Sequence, residues 1–318
     1  MKSTLAFALC LSLLTGFAKD TSQPDTKGLA PSTNFFAIVE LPAKGDQKAA
    51  FDKTIAEFKK AAAVNPKGKA VIRTIDDIIG RLNDAGLCDI SQGDLHSITA
   101  GVTLPMTVKE VAELDEADAD FSIILRGKFD PKRTKAFCDT EGVKASLIDG
   151  QTAWDLDSLV SKLNPQAKVT KSQPGKEDWL AYADDTTLVI GNRSSLRKSL
   201  SAYKGQGPSL RPARIKAAEA ITDWSVYCCF ANPGLINDAT RQEAATNPGV
   251  AKLVAAFPHD QIILIAGLKS DNASTSLIFA NQKTQESIQY TTTASQSLLP
   301  KLIDAYLELF GQATNAGR

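Results

Sequence analysis

The sequence predicts an α+β fold of two related lobes, each an antiparallel sheet with helices packed on one face. Three observations carry this expectation. Short β-branched apolar runs alternate with amphipathic stretches, Gly, Pro, Asn and Asp punctuate them as turns, and the order of elements early in the chain recurs late in it.

After a polar, turn-rich lead-in, FFAIVELP reads as a strand ending at Pro42. Asp46 to Val64 is an amphipathic helix with Phe51, Ile55 and Phe58 on one face, broken by Pro66 and Gly68. Thr74 caps a second helix that carries Ile75, Ile78, Ile79 and Leu82 on its buried stripe and closes at Gly86. Leu95 to Leu104 is the next strand, followed by an acidic connection, KEVAELDEADAD.

The stretch from Phe121 to Tyr203 shows the plan most clearly. Phe121 to Arg126 is a strand, and Asp130 with Pro131 at the first helical position starts a helix that Gly142 stops. Strands at Lys144 to Leu156 and Trp179 to Gly191 follow, joined by a polar segment around Asn164 to Lys176. The second divides into a hairpin at Asp184 and Asp185. Ser194 caps a helix with Leu196, Leu200 and Tyr203 on one face, ended by Gly205 and Gly207.

Beyond it, SVYCCFANP is a strand, helices cover Gly234 to Ala245 and Pro248 to Phe257, and QIILIAGLKS with ASTSLIFANQ forms a hairpin around Asp271 and Asn272. A long helical region runs from Thr284, restarting near Pro300. FFAIVELP matches SVYCCFANP in this order, SITAGV matches IILIAGL, and FSIILRGKFDP matches STSLIFANQKT, which implies a duplicated β-α-β-β-α unit. The expected organisation is a signal peptide at 1–18, a flexible lead-in at 19–34, a first lobe at 35–204, a linker at 205–212 and a second lobe at 213–318.

Lys2, the apolar run Leu5 to Leu14, and the small residues Gly16 and Ala18 stand in the order of a secretory signal, with cleavage expected after Ala18. Leu9 is large where lipid modification of Cys10 would need a small residue. No later stretch has the ~20 apolar residues of a membrane crossing, so the expected product is a secreted, periplasmic or cell-envelope protein without a span. Lys and Arg together number 36, as do Asp and Glu, and this balance leaves no basic footprint for nucleic acid.

The cysteines outside the signal are Cys88, Cys138, Cys228 and Cys229. In an oxidising compartment Cys88 and Cys138 are the preferred disulfide, whereas Cys228 and Cys229 are adjacent in a strand and point to opposite faces. His96 and His259 flank strands without a local motif and read as structural or surface residues. Asp184 and Asp185 read as turn residues, Asp115, Asp118 and Asp120 as a solvated acidic run, and Trp154, Trp179 and Trp224 as core residues. There is no HExxH, GxSxG, phosphate-binding loop or GxGxxG at a usable position. No catalytic residue, cofactor or metal ligand is therefore assigned.

AYADDTTLVIGNRSSLRKSL, together with FSIILRGKFDP, resembles segments of uncharacterised bacterial secreted α+β proteins. The resemblance implies an exported location and the duplicated plan, and it attaches no activity. The expected function is a non-enzymatic binding or structural role in the cell envelope toward a protein or glycan partner. The alternative is a hydrolase of an envelope polymer that uses carboxylates from separate strands.

Overall fold

The computed structural model describes residues 19–20, 24–41, 49, 84–87, 95–103, 120–164, 177–211, 214–221, 223–224, 226–231, 242–248, 251, 261–269, 272–282 and 284–292. Its strands are β1 (Lys19–Asp20), β2 (Phe35–Glu40), β3 (Leu95–Thr103), β4 (Asp120–Gly127), β5 (Ala145–Ile148), β6 (Gln151–Asp155), β7 (Asp178–Asp184), β8 (Thr187–Asn192), β9 (Asp223–Trp224), β10 (Val226–Ala231), β11 (Gln261–Lys269), β12 (Asn272–Ala280) and β13 (Ser287–Thr292). The helices are α1 (Pro131–Glu141), α2 (Leu156–Leu163), α3 (Arg193–Tyr203) and the short α4 (Lys216–Glu219). The helices expected at Asp46 to Val64 and Thr74 to Gly86 lie almost wholly outside the described residues, as does the acidic connection after Leu104, and of those expected at Gly234 to Ala245 and Pro248 to Phe257 only residues 242–248 and 251 are described.

Eleven strands form one antiparallel sheet in the order β13-β12-β11-β10-β2-β3-β4-β8-β7-β6-β5, while β1 pairs separately with β9. The fold is therefore a mixed α+β class built on an antiparallel sheet. The sequence up to β8 occupies one side of this sheet and the sequence from β10 the other. They meet where Phe35 pairs with Phe230 and Val39 with Val226, so the sheet is continuous across the join. β4 returns to the sheet at its far edge through α1, and the chain then comes back strand by strand from β5 to β8, which pairs with β4.

Helices cover both faces of the β2–β8 part, where the sequence led us to expect one face only. The reason is visible in β7, where Trp179 and Ala181 enter one apolar cluster and the intervening Leu180 and Tyr182 enter another. A strand apolar on both sides needs cover on both. On one face α3 contributes Leu196 and Leu200, fully buried beside Ile124 and Val189, and its Ser199 shares a 2.8 Å hydroxyl contact with Ser122 of β4. On the other, Cys138 of α1 and Leu159 and Leu163 of α2 pack with Trp154, Leu180, Tyr182 and Leu188. The Thr134 and Tyr182 hydroxyls meet there at 2.8 Å.

Two further local expectations are corrected. Within the stretch 19–34, where the sequence predicts a flexible lead-in, residues 24–34 lie across the α3 face with Leu29 fully buried, because Leu29 fills the space above Gly101. The sequence predicts a helical region from Thr284. Residues Ser287–Thr292 instead form β13, since SIQYTT is rich in β-branched and aromatic residues and completes the ladder on β12.

Gly191 is the tightest point between α3 and the sheet, for a Cβ there would stand 2.6 Å from the Phe121 carbonyl oxygen. Backbone on both sides leaves little room to yield. Gly191→Ala is expected to cost about 1–3 kcal/mol in denaturant-induced unfolding, as overpacked sites do. A cost near zero would show that α3 rides loosely on the sheet.

Candidate functional site

The margin of the sheet at β5 combines features that the rest of the described surface lacks. Gly142, with φ of 65°, ends α1, and the chain enters β5 three residues later. Asp149 and Gly150, with φ of 52° and 74°, form the two-residue left-handed turn that joins β5 to β6 and pairs Ile148 with Gln151. In such a hairpin the bonded pairs alternate, and the Asp155 N–H donation to the Lys144 carbonyl fixes which positions face β6. The N–H and C=O groups of Ala145 and Leu147 consequently point off the sheet.

Apolar area is exposed at the same margin. Leu147 is 71% exposed and Val160 of α2 is 37% exposed, and these are the large apolar side chains standing in the open among the described residues. Ile148 belongs to the α3-face cluster, so Leu147 lies on the opposite face, which α2 covers. The Ser158 hydroxyl of α2 accepts from the Lys144 N–H at 3.2 Å and holds the helix against the start of β5.

On the α3 face the margin is basic. Arg193 donates to the Ser146 hydroxyl at 3.3 Å, and Lys204, just past the helix, donates to the Asp149 carbonyl at 3.4 Å. Arg197 is exposed and lies one turn from Arg193 on the same flank. Lys144 and Arg193 stand 5.3 and 5.7 Å from the ring of buried Trp179, within cation–π range. A hydrogen bond from Lys144 to Glu177, aided by nearby Asp155, raises the Lys144 pKa above its ordinary value. The indole N–H of Trp179 is buried with no partner among the described residues.

A second polar cluster lies across the α3 face at the far ends of β4 and β8. Arg126 reaches Asp25 at 3.1 Å, the Thr99 hydroxyl at 3.0 Å and the Lys27 carbonyl at 2.7 Å. Lys27 sits 4.0 Å above the Tyr203 ring, and the Tyr203 hydroxyl donates to Asp184 at 2.6 Å while accepting from Thr187. Burial works to raise the Asp184 carboxyl, but hydrogen bonds from Tyr203 and Thr186 outweigh it and hold the pKa below the usual value. This cluster ties residues 24–34 to the sheet.

The structure separates the residues that the sequence singled out. Asp184 ends β7 and Asp185 begins the turn, and the Asp184 carboxylate accepts from the Thr186 backbone and hydroxyl. Asp120 binds Lys198 at 2.9 Å and Asn192 at 3.2 Å, and these contacts outweigh burial and lower its pKa, while Asp115 and Asp118 lie outside the described residues. Trp154, Trp179 and Trp224 are 4%, 3% and 1% exposed, which makes them core residues.

Cys138 is a buried free thiol that burial pushes up to about 12, and Cys88, the other half of the expected disulfide, lies outside the described residues. Cys229 is buried on the α3 face and Cys228 is half-buried on the other, both pushed by burial to about 12. His96 is exposed on β3 beside an irregularity in its pairing with β4, and His259 lies outside the described residues. Among the described residues no cluster of His, Cys, Asp and Glu is arranged to hold a metal ion, and no helix is long and apolar enough to cross a membrane.

Sequence reasoning missed the margin itself. It read Lys144 to Leu156 as one strand and assigned no helix to Leu156–Leu163. Asp149-Gly150 is a strong hairpin signal, and Asp155 ahead of Leu156, Leu159, Val160 and Leu163 is a cap with an apolar stripe. The cap of α3 is Asn192, which accepts from the Ser195 N–H, rather than Ser194.

No protein-family model matches the chain, and no curated protein matches it. A solved structure described as crystal form I of TP0453 is similar at a TM-score of 0.39 and 11% identity, over 82% of this chain and 80% of that one. A likeness at that level leaves the fold to rest on the strand pairing described above.

Two outcomes follow from the polar clusters. Arg126→Met strands the fully buried Thr99 hydroxyl and releases Asp25, and is expected to cost about 1–3 kcal/mol and to speed proteolysis within 24–34. Asp120 and Asp184 are both lowered in the fold, so they bind fewer protons folded than unfolded. Stability should therefore be level above the unfolded carboxyl value of about 4 and fall as pH drops below it, a slope that Asp120→Asn reduces in acid titrations of the unfolding midpoint.

Proposed function

We propose that the protein is an exported, non-enzymatic binding or structural module of the cell envelope. The observation that carries this reading is the margin at β5, unpaired among the described residues, where outward-facing backbone groups and a Leu147 that is 71% exposed lie together. Exposed apolar area beside unsatisfied strand backbone is a docking surface or an aggregation hazard, and a protein that persists in the envelope needs it to be the former.

The internal duplication belongs to the same reading. β2, β3 and β4 run outward from the join in one direction, and β10, β11 and β12 run outward in the other, the arrangement expected of two copies related by an approximate two-fold axis at the β2–β10 pair. Phe36 and Ile38 enter the α3-face cluster, as do Tyr227 and Cys229 at matching places in β10. Export rests on the signal-like first eighteen residues.

A hydrolase would need one carboxyl held protonated near neutral pH. The described carboxylates with shifted values, Asp120 and Asp184, are both lowered and both engaged by neighbours, which favours the binding reading. The test is capture with the tagged protein from an envelope extract, alongside incubation with peptidoglycan and envelope polysaccharides. A reproducibly retained partner with the polymers intact is the expected result, and release of soluble polymer fragments would overturn the reading.

A further inference from the structure

We propose that β5 accepts an extended segment of a partner polypeptide as an additional strand, with the segment's acidic side chains on the α3 face and its apolar side chains on the α2 face. This deepens the binding reading given above and rests on it. β5 ends the sheet, and its sequence, Ala-Ser-Leu-Ile, carries none of the charges or prolines that blunt natural sheet edges. Its outward groups at Ala145 and Leu147 are spaced to bond an incoming strand.

The two faces of the margin specify the partner's chemistry. In a strand, alternate side chains go to opposite faces, so an added strand presents one set beside Leu147, on the face that α2 covers, and the other beside Arg193, Arg197 and Lys204. The first set meets apolar area and the second meets a row of cations. Arg193 and Lys204 bond a hydroxyl and a carbonyl, and among the described residues no carboxylate pairs with them or with Arg197. Glu177 and Asp155 are engaged by Lys144 instead.

The same row argues against a second copy of this chain as the occupant. Antiparallel pairing of β5 with its own copy would leave α3 on the same face in both and bring the two basic rows together, which like-charge repulsion opposes. An acidic segment removes that repulsion and gains from it.

The test uses the intact protein and two synthetic capped peptides of about six residues, the usual strand length, one alternating Asp and Val and the other alternating Lys and Val. Anisotropy titrations are run on wild type, Leu147→Lys and Arg197→Glu, with hydrogen exchange followed at the Ala145 and Leu147 amides. Both substituted residues are exposed, so unchanged melting temperatures are required of the variants.

The expected result is binding of the Asp/Val peptide only, weakened roughly tenfold by either substitution, with slowed exchange at Leu147. Binding of neither peptide or of both alike, indifference to both substitutions, or protection elsewhere would overturn the proposal. So would self-association that Leu147→Lys abolishes, which would give the edge to a second copy. Failure of the peptides while envelope capture still retains a partner removes only the β5 assignment, whereas failure of capture removes the binding-module reading itself.

Discussion

The ladder between β2 and β10 is the contact on which the architecture depends. Five register pairs, from Phe35 with Phe230 to Val39 with Val226, join an early and a late part of the described chain into one sheet. On the α3 face the ladder is reinforced by aromatic packing, with Phe36 and Tyr227 stacked at 6.0 Å and Trp224 against Tyr227 at 5.4 Å. Buried aromatic pairs of this kind contribute about 0.5–1.5 kcal/mol each beyond the area they cover. Without this ladder, the part up to β8 and the part from β10 would each end in an apolar strand paired on one side only.

Once the sheet is continuous, its alternation dictates the layers. β7 carries Trp179 and Ala181 to one face and Leu180 and Tyr182 to the other, so helices must lie on both. α1 fills this role because it must travel from β4 to the far edge, and its path across the sheet gives Cys138 and Phe137 their places in the second cluster. The Arg126 cluster has a different task. It secures 24–34 over the α3 face, where Leu29 and Leu210 also bond through their backbones at 2.9 Å.

Much of this order was legible in the sequence because it is written locally. α1 begins at Asp130 with Pro131 and ends on left-handed Gly142, three signals that need no tertiary information. β3, β4, β10 and the β11–β12 pair were equally readable from their β-branched runs. The misses have physical causes. α2 is a short helix that starts directly on the last residue of β6, so no loop separates the two periodicities. β13 was lost because SIQYTT mixes polar residues with its β-branched and aromatic ones, and among the described residues only its pairing with β12 settles it as a strand. The candidate margin was illegible for a further reason, since nothing near Leu147 in sequence says that its strand will lie outermost. That follows from β8 pairing with β4, a long-range choice.

The distance along the chain between β2 and β10 also governs how the molecule comes into being. β2 is made early, and its partner on one side, β10, is made only after β8 and α3 are complete. Throughout that interval the Phe35–Glu40 strand presents a bare row of amides and carbonyls flanked by Phe36, Ile38 and Val39. Among the described residues, a chain made from its N-terminus therefore passes through a stage with two open strands, β2 at one end and β5 at the other. Among the described residues, only the first gains a partner strand from later in the chain. Keeping β2 from pairing with other chains until Val226–Ala231 arrives is thus a demand set by topology rather than by any local weakness of the sequence.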